Sequence, residues 1–240
     1  MKYFNIAILI LLLYLGIEGL VFWYRVNHLP ALPDIVQKNQ TLGQGPGLKY
    51  IAAGDSTAVG EGASEVSKTY TYRVAEYLSN KHKVEYKNIA TIGATTKDVV
   101  EKQLSEIVAS QPDVVTVSIG ANDITHWVSG DEILDNYQTI IEKLTNETQA
   151  RIYIANIPGL ENAQLLPWVY RNYLDRRSIQ LNQEIIGFET DRVRFIDIHD
   201  FGWSRFPDIQ TTFAADHFHP NDLGYTNWTD AFLDQIHKDF

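Results

Sequence analysis

Lys49-Tyr50-Ile51-Ala52-Ala53-Gly54-Asp55-Ser56-Thr57-Ala58-Val59-Gly60 is the stretch on which the reading of this chain turns. Tyr50 to Ala53 are apolar or small, and they run straight into a glycine, an acid and a serine. A short apolar run bounded by turn residues is the pattern of a strand buried on both faces. A serine directly after such a strand, with Gly54 and Gly60 permitting a tight turn, presents its hydroxyl at the edge of a sheet. Gly-Asp-Ser is also ordinary turn chemistry, so the tripeptide alone does not separate a nucleophile from a turn.

Downstream of this stretch, β-branched runs alternate with amphipathic segments. Candidate strands are Tyr50–Ala53, Val84–Ile89, Val114–Ile119, Arg151–Asn156 and Arg194–Ile198. Apolar residues between them recur at helical spacing. The stripes are Tyr70, Val74, Tyr77 and Leu78; Val100, Leu104, Ile107 and Val108; and Leu134, Tyr137, Ile140, Ile141 and Leu144. Leu174, Leu181, Ile185 and Phe188 form a fourth, and Tyr225, Trp228, Phe232 and Ile236 a fifth. Strand–helix alternation with nearly all-apolar strands predicts an α/β fold, a parallel sheet covered on both faces. Ligands in such sheets bind outside the carboxyl ends of the strands, so polar motifs placed there are site candidates.

Upstream, the pattern changes twice. Residues 26–48 carry Pro30, Pro33, Pro46, Gly43, Gly45 and Gly47, and read as an extended linker. Tyr3 to Tyr24 is almost wholly apolar and bracketed by Lys2 and Arg25. At about 1.5 Å per residue it spans a hydrocarbon core of about 30 Å, and Phe22, Trp23 and Tyr24 fall where an interfacial belt belongs. No small-x-small cleavage site follows, which favours an uncleaved anchor over a signal peptide. Glu18 is the one costly residue within it. The expected organisation is an anchor over 1–25, a linker over 26–48 and a globular domain over 49–240, with that domain outside the membrane.

Three later motifs sit at predicted strand ends. Gly93, after the second strand, offers a bare backbone N–H of the kind a developing oxyanion needs, although Thr95 or Thr96 as a helix cap also explains the segment. In Gly120-Ala121-Asn122-Asp123, Asn122 supplies N–H donors without becoming a competing base, or else forms an Asx-turn. Asp123 reads as capping or loop support. In Asp216-His217-Phe218-His219-Pro220, His219 is a candidate general base, with Asp216 placed to hold its ring from the same loop. A metal site of His217 and His219 with Asp216 or Asp222, and a purely structural histidine pair, are the competing readings.

Together, in this order, the Gly-Asp-Ser, the glycine, the Gly-x-Asn-Asp and the Asp-x-x-His-Pro resemble the SGNH or GDSL-type hydrolases from about Lys49 to the end. The resemblance implies a three-layer α/β/α sandwich around a five-stranded parallel sheet. It implies Ser56 as nucleophile, His219 as base and Asp216 as its orienting acid. Ser56 N–H, Gly93 N–H and the Asn122 side chain would form the oxyanion hole. The expected reaction is cleavage of carboxylic esters, lysophospholipase- or acylesterase-like, through an acyl-enzyme. No metal or organic cofactor is called for. Expected substrates are lipid acyl esters or O-acetyl groups on glycans. The alternatives are a metal-dependent phosphoesterase and a non-catalytic binding protein. Thr57 stands where the family commonly has leucine, and Ile92 where it has a smaller residue. His217 reads as loop structure. Leu165, Leu166, Trp168, Tyr170 and Tyr173, with Phe201, Trp203, Phe206, Phe213 and Phe218, either line a pocket or pack the loops.

The net charge of −10 over 240 residues excludes a nucleic-acid partner, because phosphate contact requires clustered Lys and Arg. The absence of cysteine removes disulfides, thiolate metal sites and cysteine nucleophiles at once.

Overall fold

The computed structural model describes residues 2–37, 39–200 and 208–240. Phe201, Trp203 and Phe206 lie outside the described residues. The chain opens with helix α1 (Lys2–Asn27), followed by an irregular segment and strand β1 (Gln40–Leu42). Strand β2 (Gly47–Gly54) leads into the short helix α2 (Ser56–Val59), α3 (Tyr70–Ser79) and β3 (Lys83–Asn88). Next come α4 (Thr96–Asp98), a π-helical turn (Val99–Gln103), α5 (Leu104–Ser110) and β4 (Val114–Ser118). Then follow α6 (Ala121–Thr125), α7 (Gly130–Glu147), β5 (Arg151–Ala155), α8 (Trp168–Ile185), β6 (Val193–Ile196) and α9 (Asp222–Ile236).

The sheet order is β1-β3-β2-β4-β5-β6, parallel throughout except for β1 against β3. The two faces of β2 enter different cores: Ile51 and Ala53 pack with α5, α7 and α8, whereas Tyr50 and Ala52 pack with α3 and α9. That alternation is the period-two geometry of a strand covered on both sides. The result is the three-layer α/β/α arrangement expected. Each predicted stripe lies on a helix, and Tyr225, Trp228, Phe232 and Ile236 are all buried on α9.

The five parallel strands expected are present, and a sixth, antiparallel strand extends the sheet at its edge. Gln40–Leu42, read as linker, pairs antiparallel with β3 in the register Gln40↔Tyr86 to Leu42↔Val84. The pairing satisfies backbone groups that the outer edge of β3 would otherwise leave open. The third-from-outer strand, β2, also begins at Gly47, inside the expected linker.

Helix α1 is long and apolar enough to cross a membrane by length and composition. Most of it is exposed, but its second half touches the domain. Trp168 N donates to Glu18 Oε2 (3.2 Å), Arg25 donates to the Gln164 carbonyl (2.5 Å), and Phe22 packs against the larger core.

Strand β2 has neighbours that continue in opposite directions: β3 lies on one side of it and β4 on the other. Its carboxyl end is therefore the point where the strand order reverses, the position at which open α/β sheets form their sites.

Candidate active site

Ser56 follows β2 by two residues. The turn between them depends on Gly54, whose φ of +129° belongs to glycine and whose Cβ would lie 1.9 Å from the Ser118 carbonyl oxygen of β4. Gln103 completes the turn with a paired contact: its Oε1 accepts from Gly54 N (2.8 Å) and its Nε2 donates to Gly54 O (2.9 Å). A Gly54→Ala change is expected to destabilise the domain by on the order of 3 kcal/mol or to block folding, through backbone strain plus overpacking. Chemical denaturation checks this; a midpoint unchanged from the parent would contradict it.

Asp55 caps α2, accepting from Thr57 N (2.9 Å) and Thr57 Oγ1 (2.7 Å). Burial pushes the Asp55 carboxyl up to about 6 against the opposing pull of those hydrogen bonds. The Thr57 hydroxyl also reaches Ser118 Oγ at 2.7 Å. Thr57 thus adds a buried polar tie between the Ser56 turn and β4.

The histidine loop closes over this turn. Asp216 Oδ1 accepts from the backbone N–H of Phe218 (3.0 Å) and of His219 (3.1 Å), an Asx-type turn that fixes the carboxylate. Its other oxygen lies 2.5 Å from His219 Nδ1, and His219 Nε2 lies 3.0 Å from Ser56 Oγ. The three predicted residues therefore form one hydrogen-bonded chain, drawn from the end of β2 and the loop before α9. Burial alone would lower the His219 pKa, but the Asp216 hydrogen bond and charge, with Glu61 and Asp55 nearby, raise it above its ordinary value. Asp216 is held below the usual carboxylate range: burial pushes it up, and the His219 contact with the two backbone N–H groups outweighs that.

Glu61 is a residue the sequence reading missed. Its Oε2 lies 3.3 Å from His219 Nε2, and its backbone is pinned by Glu61 N to Ser56 O (2.9 Å) and by Tyr225 Oη to Glu61 O (2.8 Å). Its only sequence signal is a carboxylate between Gly60 and Gly62 just after the serine turn.

The loops after β3 and β4, the two strands that flank β2, are joined to each other. Asn122 Nδ2 donates to the Ala94 carbonyl (2.8 Å), tying the two loops together. Gly93 has φ +78° and open space at its Cβ position. Asp123 is structural as expected: buried, it accepts from Thr96 N (2.9 Å) and Thr96 Oγ1 (2.6 Å), while Thr95 and Asp98 form the capping box of α4. Ile92 is exposed and lines an open cleft of about 340 Å³. The same cleft is walled by His219, Asp216, Glu61, Phe218, Leu165 and the irregular segment Leu29 to Ile35. Phe213 and Phe218 also line a smaller cavity of about 80 Å³ behind the histidine loop. Leu166 is buried, Tyr173 stacks with Trp127, and Tyr170 meets the same ring at a tilt.

The metal reading of the histidine loop does not match this geometry. Both nitrogens of His219 are taken, and His217 is exposed with φ +56°, serving the turn through its backbone. Among the described residues, Asp216, His217 and His219 do not form a group of converging ligand atoms.

Solved structures share this fold. A lipase, Lip_vut3, from a goat rumen metagenome superposes with a TM-score of 0.60 at 19% identity, over 77% of this chain and 95% of that one. The acetylxylan esterase Axe2 from Geobacillus stearothermophilus gives 0.59 at 20% identity, over 80% and 95%. TesA gives 0.65 at 14% identity, over 80% and 99%. No curated protein sequence matches the chain. The family model for the GDSL-like lipase/acylhydrolases matches residues 52–226, from β2 through the histidine loop into α9, and the chain belongs to that family.

Proposed function

We propose that the protein hydrolyses carboxylic esters with Ser56 as nucleophile, His219 as general base and Asp216 as the carboxylate that orients it. The observation that carries this reading is the continuous contact from Asp216 Oδ2 through His219 to Ser56 Oγ at the carboxyl end of a parallel sheet. Ser56 attacks the ester carbonyl as His219 takes its proton. Backbone N–H groups of Ser56 and Gly93 and the second Nδ2 hydrogen of Asn122 face the tetrahedral oxyanion. His219 then protonates the departing alcohol, and water clears the acyl-enzyme by the reverse proton transfers. The catalytic unit is residues 49–240, extended by β1.

Residues 1–25 act as a membrane anchor, with the catalytic domain on the extracytoplasmic side. The segment that leaves α1 forms one wall of the cleft beside His219, so the opening lies close to where the chain leaves the membrane. That placement favours esters found at a membrane surface, either lipid acyl esters or O-acetyl groups on envelope glycans. A panel of p-nitrophenyl esters from acetyl to palmitoyl, run beside acetylated glycans, tests the assignment. Turnover of none of them would overturn it.

The raised His219 pKa has a direct kinetic consequence. The base must be neutral, so kcat/KM is expected to fall on acidification with a midpoint above 6.5, the ordinary value for histidine. Glu61 stabilises the imidazolium from 3.3 Å. Glu61→Gln is therefore expected to lower that midpoint. An unmoved profile would remove Glu61 from the proton balance.

A further inference from the structure

We propose that Glu161, Asp175 and His199 form a binding site for one divalent transition-metal cation, with zinc the best-matched ion. The three come from separate segments: the loop after β5, the first half of α8 and the turn after β6. Their ligand atoms lie within 4.8 Å of one another, and His199 Nε2 is 3.2 Å from Asp175 Oδ1. Ligands about 2.0–2.2 Å from a tetrahedral zinc stand about 3.4 Å apart, so the imidazole and carboxylate already have that spacing.

No side chain separates the three from the backbone at Gly159. Gly159 is buried, and a Cβ there would lie 2.9 Å from Glu161 Oε2, 3.4 Å from Asp175 Oδ1 and 3.4 Å from His199 Nε2. All three ligand atoms thus border the space that a side chain at 159 would fill.

One carboxylate of the set has an acceptor to spare. Glu161 Oε2 is buried with no hydrogen-bond donor, while Oε1 accepts from Asn162 Nδ2 (2.8 Å). His199 Nδ1 lies 2.7 Å from Asp200 Oδ1. With a cation between Nε2 and the carboxylates, that contact takes the ring proton on Nδ1 and leaves the Nε2 lone pair for the ion, the orientation of a metal-ligating imidazole. One imidazole and two carboxylates suit zinc with a water in the fourth position.

The site shares no residue with the Ser56 chain and stands whether or not the chain hydrolyses esters. Its effect on the fold is local: Gly159, Leu160 and Ala163, beside Glu161, line the cavity behind His219. A bound ion joins that wall to α8 and β6.

The test is zinc content, read without any activity assay. The full chain in detergent micelles, free of affinity tag, is stripped with chelator, titrated with zinc chloride, desalted and measured by elemental analysis. About one zinc per chain is expected, with a higher melting temperature in zinc than in chelator. Glu161→Gln and His199→Gln are each expected to weaken binding at least about tenfold and to abolish the zinc-dependent melting shift. Retention below a tenth of an equivalent by the wild-type chain would overturn the site, leaving a proton-sharing carboxylate pair. Should the ligand variants fail to fold, a chain with the exposed His126 and His217 both changed to glutamine decides. Full zinc binding there supports the buried site, and its loss overturns it.

Discussion

A Ser56→Ala chain is expected to lose kcat for ester hydrolysis by about six orders of magnitude. The change removes one oxygen. In the proposed mechanism that oxygen attacks the acyl carbonyl while His219 Nε2, 3.0 Å away, takes its proton. Covalent labelling by a fluorophosphonate should vanish with it, since the probe reports the activated hydroxyl. The fold should hardly respond. Ser56 Oγ is hydrogen-bonded to His219, which keeps Asp216 and Glu61 when the hydroxyl is gone. Losing one hydrogen bond costs about 1 kcal/mol, and alanine returns part of that through its helix propensity in α2. For a chain of this size the melting temperature should stay within about 4 °C of the parent. Turnover within tenfold of wild type, or labelling that persists, would dismiss Ser56 as the nucleophile.

Ser56, Asp216 and His219 are legible in the amino-acid sequence, even though each strand-end motif also reads as an ordinary turn. The order of the motifs, taken with the rule that sites form beyond the carboxyl ends of parallel strands, brings the three together. In the folded chain they form one hydrogen-bonded series. Other parts are hidden for physical reasons. Three residues of β1 are too few to show a period, and their pairing with β3 depends on a turn through Gly43 and Gly45 rather than on any apolar pattern. Glu61 carries no motif, since its place follows from a backbone held by nearby Ser56 and by Tyr225, far along the chain. Glu161, Asp175 and His199 are spread over three segments, and helix α8 must pack on the sheet before their ligand atoms converge. Spacing in sequence reveals a ligand set only when one element supplies it.

Asp216→Asn is expected to cut kcat by about four orders of magnitude while the loop keeps its shape. The reason lies in the two oxygens of Asp216, which have different tasks. Oδ1 accepts from the backbone N–H of Phe218 and of His219, and an asparagine can do the same only by pointing its own oxygen there. Its amide nitrogen is then left facing His219 Nδ1, where the carboxylate oxygen stood at 2.5 Å. Two donors cannot share one hydrogen bond, so the ring moves its proton to Nε2 and presents Nδ1 as acceptor. Nε2 can then no longer take the proton of Ser56. Comparison with Asp216→Ala separates orientation from loop support. Alanine leaves both backbone N–H groups without an acceptor and should lower stability by about 1 to 3 kcal/mol as well as activity. Asparagine should lower activity at nearly unchanged stability. Steady-state kinetics beside thermal melts of both variants make the comparison, and an Asp216→Asn enzyme within tenfold of wild type would mean that His219 finds its tautomer without Asp216.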